Sequence, residues 1–114
     1  MDTDWVEGFR GAVTVCDAAG VIVAMNAKSA QTFDADGGQA LIGRNLLDCN
    51  PEPSRSQVAD LLAHPRVNAH TIEKRGVRKL IYQAPWYRDG VCQGLVELSL
   101  EIPDGMPHFV RQSI

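Results

Sequence analysis

The sequence predicts an α+β fold, with short helices and one longer helix over one face of a five-stranded antiparallel sheet. Three observations predict it. Residues 12–25 read as a β-hairpin, residues 27–63 as a run of helical pieces, and residues 67–102 as a three-strand meander. A hairpin and a meander of this kind can share one sheet, with the helices between them laid across it.

Residues 1–10 come first and place Trp5 and Phe9 four apart, on one face of a short N-terminal cap helix. "AVTVC" at 12–16 has the β-branched content of a strand. Asp17 and Gly20 then occupy the first and last positions of a type I turn, and "VIVAM" returns. Asn26 is a good N-cap for a helix over Ala27 to Phe33, which "DADGG" at 34–38 breaks. Leu41 and Ile42 form a short apolar piece before Gly43, and "RNLLDCNPEP" a helical turn stopped by Pro51 and Pro53. Ser54 to Gln57 fits a capping box, with Val58, Leu61 and Leu62 as the apolar stripe of the longer helix and Pro65 at its end.

The meander has strands at 67–74, 77–87 and 91–102, separated by turns at "RG" and "RDG". Pro85 marks an irregular or edge position. In the last strand Val96, Leu98, Leu100 and Ile102 lie on one side and Glu97, Ser99 and Glu101 on the other. A bulge at Gly94 or Pro85 would exchange the two faces. The tail, 103–114, has two prolines and no period. The expected organisation is a cap helix at 1–10, one domain at 11–102 and a C-terminal extension at 103–114.

The 114 residues suit one domain, and 45% apolar content suffices for a core. A net charge of −3 argues against direct nucleic-acid contact. The basic cluster Lys74, Arg75, Arg78 and Lys79 reads as solvated hairpin ends. No segment has the ~20 apolar residues of a membrane span. The acidic start "MDTDWVEGF" lacks the pattern of a signal peptide, so a cytoplasmic location is expected. Cys16, Cys49 and Cys92 form no CxxC pair and read as small buried hydrophobes rather than zinc ligands or disulfides.

In order and spacing, the chain resembles the PAS (Per-Arnt-Sim) sensory domains over residues 8–102. "D-x-x-G-x-I-x-x-x-N", here Asp17, Gly20, Ile22 and Asn26, resembles the first hairpin and helix of that family. "LIGRNLLD" at 41–48 is similar to its Gly-Arg-x-Leu segment, and "GLVELSLEI" at 94–102 to its closing strand. Many members end that strand Asp-Ile-Thr, where this chain has Glu101-Ile102-Pro103. The resemblance implies a five-stranded antiparallel sheet with helices that enclose a small cavity. Family members sense light, oxygen, redox state or metabolites, or dimerise. Trp5 and Phe9 would then cap the outer sheet face or meet a partner.

For a ligand cavity the candidates are Phe33, Leu46, Leu62, His64, Tyr82, Trp86, Glu97 and Ser99. His64 is either a haem ligand on the longer helix or a cationic C-cap, and its place before Pro65 favours the cap. Tyr82 and Trp86 are core or ligand-contacting, core being favoured. Glu97 is either exposed, as simple alternation suggests, or a cavity group with a perturbed pKa. The family's flavin photosensors place a cysteine in Gly-x-Asn-Cys-Arg. Here Gly43-Arg44-Asn45-Leu46-Leu47 puts Leu46 at that position, with Cys49 three residues late. Nor does Cys49 match the chromophore-linked cysteine near Pro53, and Asp48 beside it would disfavour a thiolate. No histidine spacing suggests a metal, and Asp34 and Asp36 read as a solvated turn.

No motif supports haem or flavin, and no catalytic motif is present. The expected function is therefore a non-enzymatic sensory module, binding a small molecule, forming a homodimer, or both. The alternatives are a purely structural dimerisation module with a filled core, a haem or flavin sensor, and a small thiol enzyme. The chain is either a stand-alone protein or a domain of a larger regulator.

Overall fold

A computed structural model describes residues 2–113. The five strands β1 (Ala12–Asp17), β2 (Ile22–Met25), β3 (Asn68–Lys74), β4 (Val77–Arg88) and β5 (Val91–Glu101) form one antiparallel sheet in the order β2-β1-β5-β4-β3. The expected hairpin and meander therefore join where β1 pairs with β5, from Ala12↔Ser99 to Asp17↔Gly94. Four helices, α1 (Asp4–Gly8), α2 (Ala27–Thr32), α3 (Leu46–Cys49) and α4 (Ser54–Ala63), accompany them, with 3-10 turns at Asp34–Asp36 and Gly38–Leu41. At the flanks, α1 has no buried residue and residues 103–113 form no helix or strand, residues 1 and 114 lying outside the described residues.

The turns follow from their residues. Asp17 Oδ1 accepts from the Ala19 and Val21 amides at 3.0 and 2.9 Å, which closes the first hairpin. The two meander turns each have two central residues, Arg75-Gly76 and Asp89-Gly90, all at positive φ. That backbone twist matches the twist of the strands they join.

One helix begins differently from expectation. Ser54 is already inside α4, behind Pro53, and makes no capping box. The Glu52 carboxylate instead accepts from the Ser56 amide and hydroxyl and from Arg55. A carboxylate one turn upstream satisfies an orphan N–H and suits the positive helix end. Those bonds, Ser56 first and Arg55 next, hold the Glu52 carboxyl below its ordinary value.

The core lies between the sheet and its helices in two clusters. Cys16 and Leu95 of the sheet meet Val58 and Leu61 of α4, while Ile22 and Met25 meet Leu41. Leu46 packs against both clusters. The β2 edge is covered by residues 43–46: Ile22 donates to Arg44 O, the Gly43 amide to Ile22 O, and Leu46 to Gly20 O. That arrangement blunts one sheet edge, and exposed polar side chains line the other, β3.

The two rows of β5 alternate as expected, but the row holding Glu97 and Ser99 is the one that faces the helices. Leu95, Glu97 and Ser99 share the helix side with Cys16, Thr14 and Ala12, their cross-strand partners. Val96, Leu98 and Leu100 pair with Ala84, Tyr82 and Leu80 on the outer face. An exposed Glu97 is thus corrected. The reason is that the aliphatic row of β5 lies against Leu80, Tyr82 and Ala84 on the outer face, while the helices cover the more polar row. The β4–β5 register shifts between Trp86 and Tyr87, next to Gly94, and the β1–β2 register between Val15 and Cys16. Gly94 has its own reason: at φ +148° a Cβ there would stand 2.0 Å from the Cys16 carbonyl oxygen.

Candidate functional site

Between the helices and the inner sheet face is a cavity of about 230 Å³. Its apolar wall comes from Ile22, Met25, Phe33, Leu41, Leu46 and Val58. The residues lining its mouth include the exposed Asp36 and Pro51, beside Cys49 and Asn50. Its polar floor is the central sheet: Thr14 of β1, Gln83 of β4 and Glu97 of β5, side by side across three adjacent strands. The registers Thr14↔Glu97 and Gln83↔Glu97 set that row.

The polar groups are linked. Asn68 on β3 donates to Gln83 Oε1 at 2.9 Å, and Gln83 Nε2 donates to Glu97 Oε1 at 2.9 Å. Thr14 and Ser29 share a hydroxyl–hydroxyl bond of 2.6 Å, which ties the floor to α2. Glu97 Oε2 takes part in no hydrogen bond among the described residues and is open to the cavity rather than sealed in the core. Burial pushes the Glu97 carboxyl up, against the smaller lowering effects of the Gln83 bond and of His70.

Just outside the cavity, Asn26 does more than cap α2. Its Oδ1 accepts from the Ser29 amide at 2.9 Å, the expected cap, and also from the Val13 amide at 3.0 Å. Its Nδ2 donates to the carbonyls of Val6, Phe9 and Gly11 at 2.9, 3.3 and 2.9 Å. One side chain thus fastens the N-terminal segment to β1 and α2.

Of the candidates nominated by sequence, Phe33, Leu46 and Glu97 meet at the cavity. Leu62 is half-buried against the Cys16–Leu61 cluster instead. Ser99 shares Glu97's face but lies farther along the strand, beyond the lining. Tyr82 and Trp86 pair with Leu98 and Gly94 on the outer face. There the Trp86 indole donates to Cys16 O at 3.1 Å and lies under Arg88, 5.6 Å from its ring centre. His64 is exposed as the C-cap of α4, its amide bonded to Asp60 O. Trp5 and Phe9 are exposed beside the sheet, 63% and 44% accessible, so α1 covers little.

The lining fits haem poorly, because His64, His70 and His108 all lie outside it. It also offers no lysine or arginine to a phosphate-bearing flavin. Cys49 lines the cavity, but no basic side chain accompanies it to stabilise a thiolate. Burial pushes the Cys16 thiol up, in keeping with a small core hydrophobe. Among the described residues there is no cluster of metal-ligating groups, and no helix is long and apolar enough to cross a membrane.

Sequence reasoning missed Gln83, Thr14 and the clamping half of Asn26. An amide in mid-strand has no motif. Its only signal was a buried-parity glutamine facing a glutamate on the next strand, which requires the register.

By sequence, the chain matches no family model and no curated protein. By structure, it is similar to the PAS domain of BvgS from Bordetella pertussis, with TM-score 0.64 and 20% identity over 90% of this chain and 84% of that one. It is similar to the photoactive yellow protein domain of the sensor histidine kinase Ppr from Rhodospirillum centenum, with TM-score 0.62 and 18% identity over 87% and 92% of the two chains. The Aer2 receptor of Vibrio cholerae, a dual PAS-heme oxygen sensor, gives TM-score 0.57 and 19% identity over 86% and 99%.

Proposed function

The chain has a PAS-like fold, and from that premise we propose that it is a non-enzymatic sensory module whose signal is a small molecule in the central cavity. The observation that carries this reading is the cavity itself: an apolar chamber of about 230 Å³ with a carboxylate oxygen left unpaired on its floor. A filled core would leave that oxygen buried and unpartnered at a cost in free energy, whereas the cavity keeps it open to a ligand's donor. Ligand sites of the usual kind combine apolar walls with a few convergent polar groups, at volumes of about 300–1,000 Å³ for drug-sized ligands. This chamber is smaller, so its occupant is a compact molecule. Occupancy would shift populations of a bistable arrangement by differential affinity. The floor connects through Thr14 and Ser29 to α2, whose cap Asn26 holds the N-terminal segment.

A second reading, homodimerisation, draws on a different observation. Val96, Leu98 and Leu100 form a half-buried aliphatic row on the outer sheet face, with Tyr82 beside it and Trp5 and Phe9 exposed nearby. The two readings are compatible.

Native mass spectrometry of freshly purified protein tests both. Wild type is expected to carry the mass of a small molecule, and Val58→Phe, which fills the chamber from α4, to lose it while keeping its circular-dichroism spectrum. Overpacking of this kind costs about 1–3 kcal/mol, which a folded domain tolerates. An adduct retained equally by Val58→Phe, or no adduct on wild type even after incubation with cell extract, would count against the cavity reading. The same spectrum counts subunits, and a monomer at all concentrations would remove the dimer.

A further inference from the structure

The charge of the lining says which compact molecules the chamber accepts. Its only ionisable carboxylates are Glu97 on the floor and Asp36 at the mouth, and no lysine, arginine or histidine stands among the lining residues. The basic groups around it stand outside the lining, and His70 is the one whose charge reaches Glu97. Lys28 sits 4.0 Å from Glu101, and His70 is exposed on β3. An anionic ligand would meet two carboxylates and no lysine, arginine or histidine in the lining, with the Glu97 charge poorly screened by water.

The floor is also asymmetric. Gln83 supplies Glu97 Oε1 with one donor, and Gln83 is itself held by Asn68. Thr14 is committed to Ser29. Glu97 Oε2 is the one oxygen among these side chains of the floor with no hydrogen bond to another described residue. A half-buried carboxylate with a single neutral donor is a poor resting arrangement, and a positively charged donor completes it.

We infer that the chamber takes a small organic cation: an amine on a compact apolar body, with its ammonium against Glu97 Oε2 and its body between Phe33, Leu46 and Val58. The inference rests on the reading of the cavity as an occupied site, and it adds the chemical class of the occupant. Asp36 at the mouth has the sign that draws a cation in.

A matched series separates the two claims. Phenethylamine, phenethyl alcohol and phenylacetate share one body and differ in charge. Isothermal calorimetry at neutral pH should give the amine an affinity about 10- to 100-fold above the alcohol, the span of a charge-assisted hydrogen bond, and no measurable heat for the carboxylate. Glu97→Gln should bring the amine down toward the alcohol's affinity, a loss several-fold larger than any change for the alcohol itself. Equal affinity for amine and alcohol would overturn the cation inference and leave the cavity reading standing. So would an amine preference that survives in Glu97→Gln, because the ammonium would then be held elsewhere. Tighter binding of phenylacetate would overturn it by sign. If none of the three binds and Val58→Phe behaves as wild type in the mass spectrum, the cavity reading falls with it.

Discussion

Glu97 shows how much one residue's surroundings decide. Groups reach it from several elements: Gln83 from β4, His70 from β3, Cys16 from β1, with Asp36 and Cys49 also lining the chamber. Burial outweighs the others and raises its pKa, so the folded chain holds a proton that the unfolded chain has already lost. Stability therefore falls as pH rises from the ordinary carboxyl value through the raised one, and is level above it. Glu52 and Asp60 have the opposite shift, and their contribution is lost at the acid end as pH falls through their lowered values. Glu97→Gln should remove the first slope and raise the melting temperature at neutral pH, leaving the acid limb in place. Circular-dichroism melts across a pH series decide this, and an unchanged slope would sink it. Glu97 was legible as a titratable candidate on a strand. Its face was not, because the strand is apolar on one side and the helices cover the other.

At the scale of elements, hairpins were the most readable part of the chain. Asp17 with Gly20, Arg75-Gly76 and Asp89-Gly90 are local signals that need nothing from the rest of the fold. The start of α4 was less readable, because its donor-satisfying carboxylate, Glu52, lies ahead of the serine that fits the capping pattern. Asn26 was readable as a cap and not as a clamp, since its three carbonyl partners lie 15 to 20 residues earlier. Two substitutions separate those roles. Asn26→Ala should cost about 3 kcal/mol, from a lost cap and buried backbone groups left unpaired. Asn26→Asp keeps the acceptor for Ser29 and Val13 but turns a second oxygen toward three carbonyls. It should preserve more of the global stability while releasing residues 2–10 to rapid limited proteolysis. A segment as protected in Asn26→Asp as in wild type would show that the clamp contributes little.

For the whole molecule, the order of elements was enough to predict the sheet, and the similarity to PAS structures agrees with it. What the order could not supply was the chamber, which exists only where residues from β1, β4, β5, the 3-10 turns and α4 converge. Tyr82 and Trp86 were nominated for it on size and landed on the outer face, because large aromatics serve either side of a twisted sheet equally well. The topology also orders stability. β5 is paired along both edges, with β1 and with β4, whereas β3 is an edge strand with six of its seven residues exposed. Amide exchange should be slowest at 95–98 and fastest, among the strands, in β3. Comparable protection in β3 would mean that its outer edge is covered by a partner in solution. The same arrangement governs what can be seen optically. Both tryptophans stand away from the chamber, Trp5 on the N-terminal helix and Trp86 bonded to the Cys16 carbonyl across the outer face. Intrinsic fluorescence is therefore blind to filling as such. A change in emission when a molecule enters would report that the event had travelled through the sheet or along the Asn26 junction, which makes the two indoles detectors of transmission rather than of occupancy.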